Sequence, residues 1–170
     1  MKVQQAIQQQ LGLWHGVLQG IMSDCGSEVL NKQLPDATIS SIAAIYAHLV
    51  FAEDRFAQDI LQGKPMIYAK NGWEAKTGIP MPDTPGLTPE WAKKLELPVF
   101  QQYATEVFAA TDTYLAELPD EELDRKIQTA NFGEQTVGWL VAVIMATHVP
   151  GHTSEIAALK GVQGLKGLPF

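Results

Sequence analysis

The sequence predicts an all-α fold, a four-helix bundle with a long crossover loop between helices two and three. Apolar residues recur at three-and-four spacing in four separate segments, and no segment sustains the alternation of a strand. In addition, 170 residues with 46% hydrophobic and 18% charged side chains describe one ordinary domain, spanning residues 1–170. A chain of that length buries enough surface to need no disulfide staple.

The first helix is expected from Val3 to Leu30, on the stripe Val3, Ile7, Leu11, Trp14, Leu18 and Ile21. The second follows Pro35 and Asp36, carries Ile42, Tyr46, Leu49, Glu53, Phe56 and Ile60, and ends at Gly63. The third starts near Pro98, a good first-turn residue, runs through Phe100, Tyr103, Val107 and Tyr114, and stops at Pro119. The fourth opens at Thr136 as N-cap and runs through Val137, Val141 and Ile144 towards Leu159, with Gly161 just past its end. Four amphipathic helices of this length make a bundle the default architecture.

The connections are uneven. Between Gly63 and Pro89 the chain carries five of its ten prolines, together with Met66, Tyr68, Trp73 and Met81. That is too apolar for a solvated linker, and long loops in compact domains usually have a function. This crossover is expected to be ordered in part, with Trp73 or Tyr68 near the mouth of the histidine site described below. Its end, Thr88-Pro89-Glu90-Trp91, reads as the cap of a short helix. Turns and a small extended piece are expected from Leu123 to Gln135.

Twelve basic against nineteen acidic side chains give a net charge of −7, with no basic run, which argues against nucleic acid as a partner. The longest apolar stretch, Val137 to Ala146, is too short to span a bilayer. The glutamine-rich start, MKVQQAIQQQ, lacks the apolar core of a secretory signal, and the one cysteine, Cys25, cannot form an intramolecular disulfide. The expected setting is the cytoplasm.

The chemistry concentrates in histidines. His148 and His152 are four apart, so a regular helix sets them about 40° apart on one face. Counting back from His148 meets Ile144, Val141 and Val137, and counting forward meets His152, Glu155 and Leu159, so the pair continues an apolar stripe. Two imidazoles one turn apart can clamp one transition ion; a hydrogen-bonded pair of core histidines is the plain alternative. Pro150 between them removes a backbone hydrogen bond. His48 flanks the stripe of the second helix and could complete a three-histidine set. Glu53 and Glu155 are carboxylates that could hold an imidazole N–H from behind the ligands, or form ordinary salt bridges. His15, beside Trp14, reads as structural.

These residues carry a resemblance. Ile45-Tyr46-Ala47-His48 with Glu53-Asp54 in the second helix, and His148-Val149-Pro150-Gly151-His152-Thr153-Ser154-Glu155-Ile156 followed by Leu159-Lys160-Gly161 in the last, resemble the DinB-like (YfiT/DinB) family of metal-dependent enzymes. Helix order and the long crossover agree, so the likeness covers essentially the whole chain. It implies a four-helix bundle, commonly a homodimer, with a divalent ion held by His48, His148 and His152 and an open coordination position. Some relatives are transferases or isomerases that use a low-molecular-weight thiol. Pro150 departs from the commoner family pattern.

Other chemistries find no support. His-Val-Pro-Gly-His lacks the glutamate of a zinc-protease helix, no Glu-x-x-His supports a di-iron site, and there is no nucleophile elbow or phosphate-binding glycine loop. Two functions from different classes remain. One is a metal-dependent enzyme, a thiol-dependent S-transferase or hydrolase acting on a small molecule, with zinc or nickel as the ion. The other is a non-catalytic metal-binding or partner-binding bundle linked to stress response. Three neutral imidazoles are an incomplete tetrahedral shell, which favours the enzyme.

Overall fold

The structure is a computed structural model that describes residues 2–81 and 92–170. Helix α1 (Val3–Met22) opens where Gln5 Oε1 accepts the Lys2 N–H at 3.1 Å. It ends eight residues before the expected Leu30, because Ser23-Asp24-Cys25-Gly26 is turn chemistry and Ser23 Oγ donates back to the Gly20 carbonyl at 2.7 Å. A short helix, α2 (Ser27–Asn31), follows the break. Lys160, only 1% exposed, closes the end of α1: its ammonium donates to the Ile21 carbonyl at 2.5 Å and pairs with Asp24. A cation is well placed there, among carbonyls that lack helical partners.

Helix α3 (Ile42–Asp54) begins later than Pro35-Asp36 suggests. Asp36 adopts a positive φ of 58°, which breaks any helix there, and Ser41 supplies the cap by accepting the Ala44 N–H. Twelve of its thirteen residues are buried, His48 being the exception, so α3 is a central helix rather than an amphipathic one. A π turn (Arg55–Ile60) prolongs it, and the stretch ends at Gly63, whose left-handed φ of 63° few other residues adopt without strain.

Two short helices, α4 (Ile67–Lys70) and α5 (Trp73–Thr77), follow Gly63. Asp54 pins α4 to α3 by accepting the N–H groups of Ile67 and Tyr68 at 2.9 and 3.0 Å. Tyr68 and Trp73 are buried as expected, but their ring partners among the described residues are Phe51 and Tyr103 for the first and Tyr103 for the second, not a histidine. The expected short helix at Thr88–Trp91 lies outside the described residues.

Helix α6 (Leu97–Glu117) has Pro98 in its first turn and stops before Pro119, as the sequence predicts. After a 3-10 turn (Asp120–Asp124), strands β1 (Lys126–Thr129) and β2 (Gly133–Thr136) form an antiparallel hairpin in which Lys126 faces Thr136 and Thr129 faces Gly133. This is the extended piece expected between Leu123 and Gln135. Thr136 Oγ1 accepts the Trp139 N–H at 3.1 Å and so caps α7 (Val137–Trp139). A π turn (Leu140–Met145) joins α7 to α8 (Ala146–Val162).

The molecule is thus mostly helical. Helix α1 packs on α6 and α8, and α3 packs on the same two. Leu11, Leu18, Tyr46, Phe51, Phe100, Tyr103 and Ile156 fill the space between them, each at most 2% exposed. Among the described residues no helix is long and apolar enough to cross a membrane.

Candidate metal centre

The site forms where α3 and α8 touch. His48 occupies the one half-exposed position on α3, and His148 and His152 project from α8 one turn apart. His48 Nε2 and His148 Nε2 stand 3.1 Å apart, and the three ring centroids are separated by 5.0, 4.9 and 4.5 Å. One nitrogen from each ring lies within 4.8 Å of the other two. A tetrahedral ion with bonds of about 2.0–2.1 Å to nitrogen sets its ligand atoms roughly 3.3 Å apart, so the donor set suits such an ion.

The protonation state of His148 suits it too. Burial, followed by the neighbouring charges His152 and His48 would carry, holds the His148 pKa down to about 3, so this imidazole is neutral at pH 7. His152 directs Nδ1 to Glu155 Oε2 at 2.5 Å, so Nε2 is the nitrogen left for an ion. An imidazole backed by a carboxylate in this way has its tautomer and orientation set.

Pro150 does not break the pair apart. A proline at this position cannot bond the carbonyl four residues back, here Ala146, and that carbonyl accepts Gln10 Nε2 from α1 at 3.2 Å. Helix α8 continues through His152 and on to Val162.

The two carboxylates divide. Glu155 meets His152, whereas Glu53, 4% exposed, accepts His15 Nε2 on Oε2 at 2.9 Å. His15 is stacked on Phe108 with ring centroids 3.9 Å apart. Glu53 Oε1 has no hydrogen-bond partner among the described residues, and Glu53 and His148 line the same small cavity, of about 10 Å³. On its other side His48 lines an open cleft of about 580 Å³ between the π turn after α3 and the hairpin β1–β2. Sequence reasoning missed Gln10 and the cleft. Neither leaves a local signal, since each depends on residues far apart in the chain.

The family profile of the DinB superfamily matches residues 12–156, which include all three histidines. The chain belongs to the DinB superfamily. The crystal structure of the conserved protein of locus from Enterococcus faecalis is similar to this DinB-superfamily chain, with a TM-score of 0.79 and 21% sequence identity over 96% of this chain and 99% of that one. At that identity the likeness concerns the fold. No curated protein matches.

Proposed function

We propose that this DinB-superfamily protein is a metal-dependent enzyme in which His48, His148 and His152 hold one divalent transition ion, zinc or nickel. The observation that carries this reading is the convergence of three imidazole nitrogens from two helices within 4.8 Å, beside a cleft large enough for a small molecule. Imidazole donors suit zinc and nickel far better than calcium or magnesium. When bound, such an ion supplies Lewis acidity and lowers the pKa of a coordinated water or thiol.

The chain's own residues have assigned parts in this reading. Glu155 fixes the His152 ring, and the Gln10 contact holds α8 in register across Pro150. Glu53, anchored by His15, stands behind His148 across a cavity with room for about one water, which would join its Oε1 to the imidazole Nδ1. The fold is read as a single-domain four-helix bundle over residues 1–170, with the crossover between its second and third long helices. Family likeness supports a small-molecule substrate, a low-molecular-weight thiol as cosubstrate, a cytoplasmic homodimer, and thiol-dependent transfer or hydrolysis as the reaction.

Calorimetric titration of metal-free protein with zinc and with nickel tests the reading. One ion per chain is the expected result, and no binding of either would overturn it. Glu155→Gln keeps a partner for the ring but removes the charge behind it, so it should weaken zinc binding by about 10–100-fold. An unchanged affinity in that titration would show that Glu155 plays no part.

A further inference from the structure

The cleft beside His48 contains one cation whose purpose the fold does not explain. Arg55 opens the π turn seven residues after His48, and both side chains line the same space of about 580 Å³. Among the described residues the Arg55 guanidinium makes no hydrogen bond, and its one ion pair, with Asp59, is long at 3.9 Å, with side chains 40% and 57% exposed. That distance exceeds hydrogen-bonding range, so the planar fork of donors remains available to a ligand. The walls around it are apolar. Phe56 on the helix side and Phe132 at the tip of the hairpin have ring centroids 6.4 Å apart, with Ile60 and Ile127 beside them. Few convergent polar groups in a largely apolar cleft are what a small-molecule site presents.

We propose that this cleft binds a small carboxylic acid, with its carboxylate on the Arg55 guanidinium and its apolar, preferably aromatic, body packed against the Phe56 and Phe132 rings. A guanidinium matches a carboxylate with two parallel hydrogen bonds, which neither Asp59 nor the polar hairpin groups Gln128 and Asn131 can offer. Seven helical residues span roughly 10 Å, so a ligand anchored at Arg55 directs its far end towards His48. The reacting end therefore lies at the histidines and the recognised end at the acid. The placement of the far end rests on the metal reading above; the acid end does not. Asp59 sets the sign of a second effect, because its carboxylate competes for Arg55 and repels an incoming anion.

The test uses phenylbutyrate and phenylbutanol, which share an aromatic body and differ in the acid, titrated into the full chain with and without zinc and followed by NMR. The metal-free parent should bind the acid at least about tenfold tighter than the alcohol, about 1.4 kcal/mol. Arg55→Gln should remove that preference, Arg55→Lys should keep part of it, and Asp59→Asn should tighten binding of the acid. A preference that survives Arg55→Gln, or an Asp59→Asn variant that binds the acid more weakly, would overturn the proposal. So would a preference seen only with zinc bound, since the acid would then sit on the ion. Because the decisive arm uses metal-free protein, failure of zinc to bind is a separate result that refutes the metal reading alone.

Discussion

Replacing His152 with Ala should lower the affinity for zinc by about a hundredfold to a thousandfold. Structural zinc sites release about 10–16 kcal/mol in all, which apportions to roughly 2.5–4 kcal/mol for each of four ligands. His152 should lie at the upper end of that range, because Glu155 already orients its ring and little ordering is left to pay on binding. His48→Ala and His148→Ala should give losses of the same order, since each removes one of three converging nitrogens. The measurement is competitive titration against a chromophoric chelator, with folding of each variant verified by circular dichroism. A His152→Ala variant that binds zinc as tightly as the parent would leave a hydrogen-bonded histidine cluster as the correct description.

The same geometry sets a pH dependence. In the ion-free protein His148 titrates at about 3, whereas an unfolded chain takes up the proton at its ordinary value of about 6.5. As pH falls through that window the unfolded state binds more protons than the folded one, so stability falls with it. Its contribution is fully present above about 6.5 and is lost towards about 3. Thermal melts of metal-free protein between those limits should show a decline that is shallower in His148→Gln. Identical slopes for the two proteins would contradict the assignment.

How much of this was legible in the sequence depends on the range of the interaction. Four apolar stripes locate the long helices, and Pro98, Pro119, Thr136 and Gly63 mark ends correctly because capping and helix breaking act within a turn. The end of α1 was missed although Ser23-Asp24-Cys25-Gly26 announces it, because the hydrophobic pattern resumes at Val29 and Leu30 and masks the break. The two π turns have no sequence signature, and each shifts the face on which later residues fall. The His148–His152 spacing is a local signal and survives into the structure. The partner of Glu53 is not: His15 lies 38 residues away on another helix, and a helical wheel cannot choose between it and the site histidines.

Asp54 should prove the most sensitive position for stability outside the hydrophobic core. It is fully buried, its Oδ1 accepts the Ile67 N–H, and its Oδ2 accepts both the Tyr68 N–H and the Tyr103 hydroxyl, the last at 2.8 Å. Burial pushes its carboxyl above the usual carboxylate value while these three donors pull the other way. Asp54→Ala leaves all three donors without an acceptor in a dry environment, at about 1–3 kcal/mol for each group that cannot find another. With partial relaxation the loss should be about 3–4 kcal/mol, which corresponds to a melting temperature lower by roughly 10 °C for a chain of this size. Asp54→Asn keeps one carbonyl oxygen but turns an NH2 group against a donor, so it should fall between parent and Ala. Hydrogen exchange adds a local readout: the amides of Ile67 and Tyr68 should lose protection first, because Asp54 is what ties α4 to α3. A loss below about 0.5 kcal/mol, the scale of an ordinary surface change, would mean that packing of Tyr68 and Trp73 on Tyr103 holds α4 and α5 in place without the carboxylate.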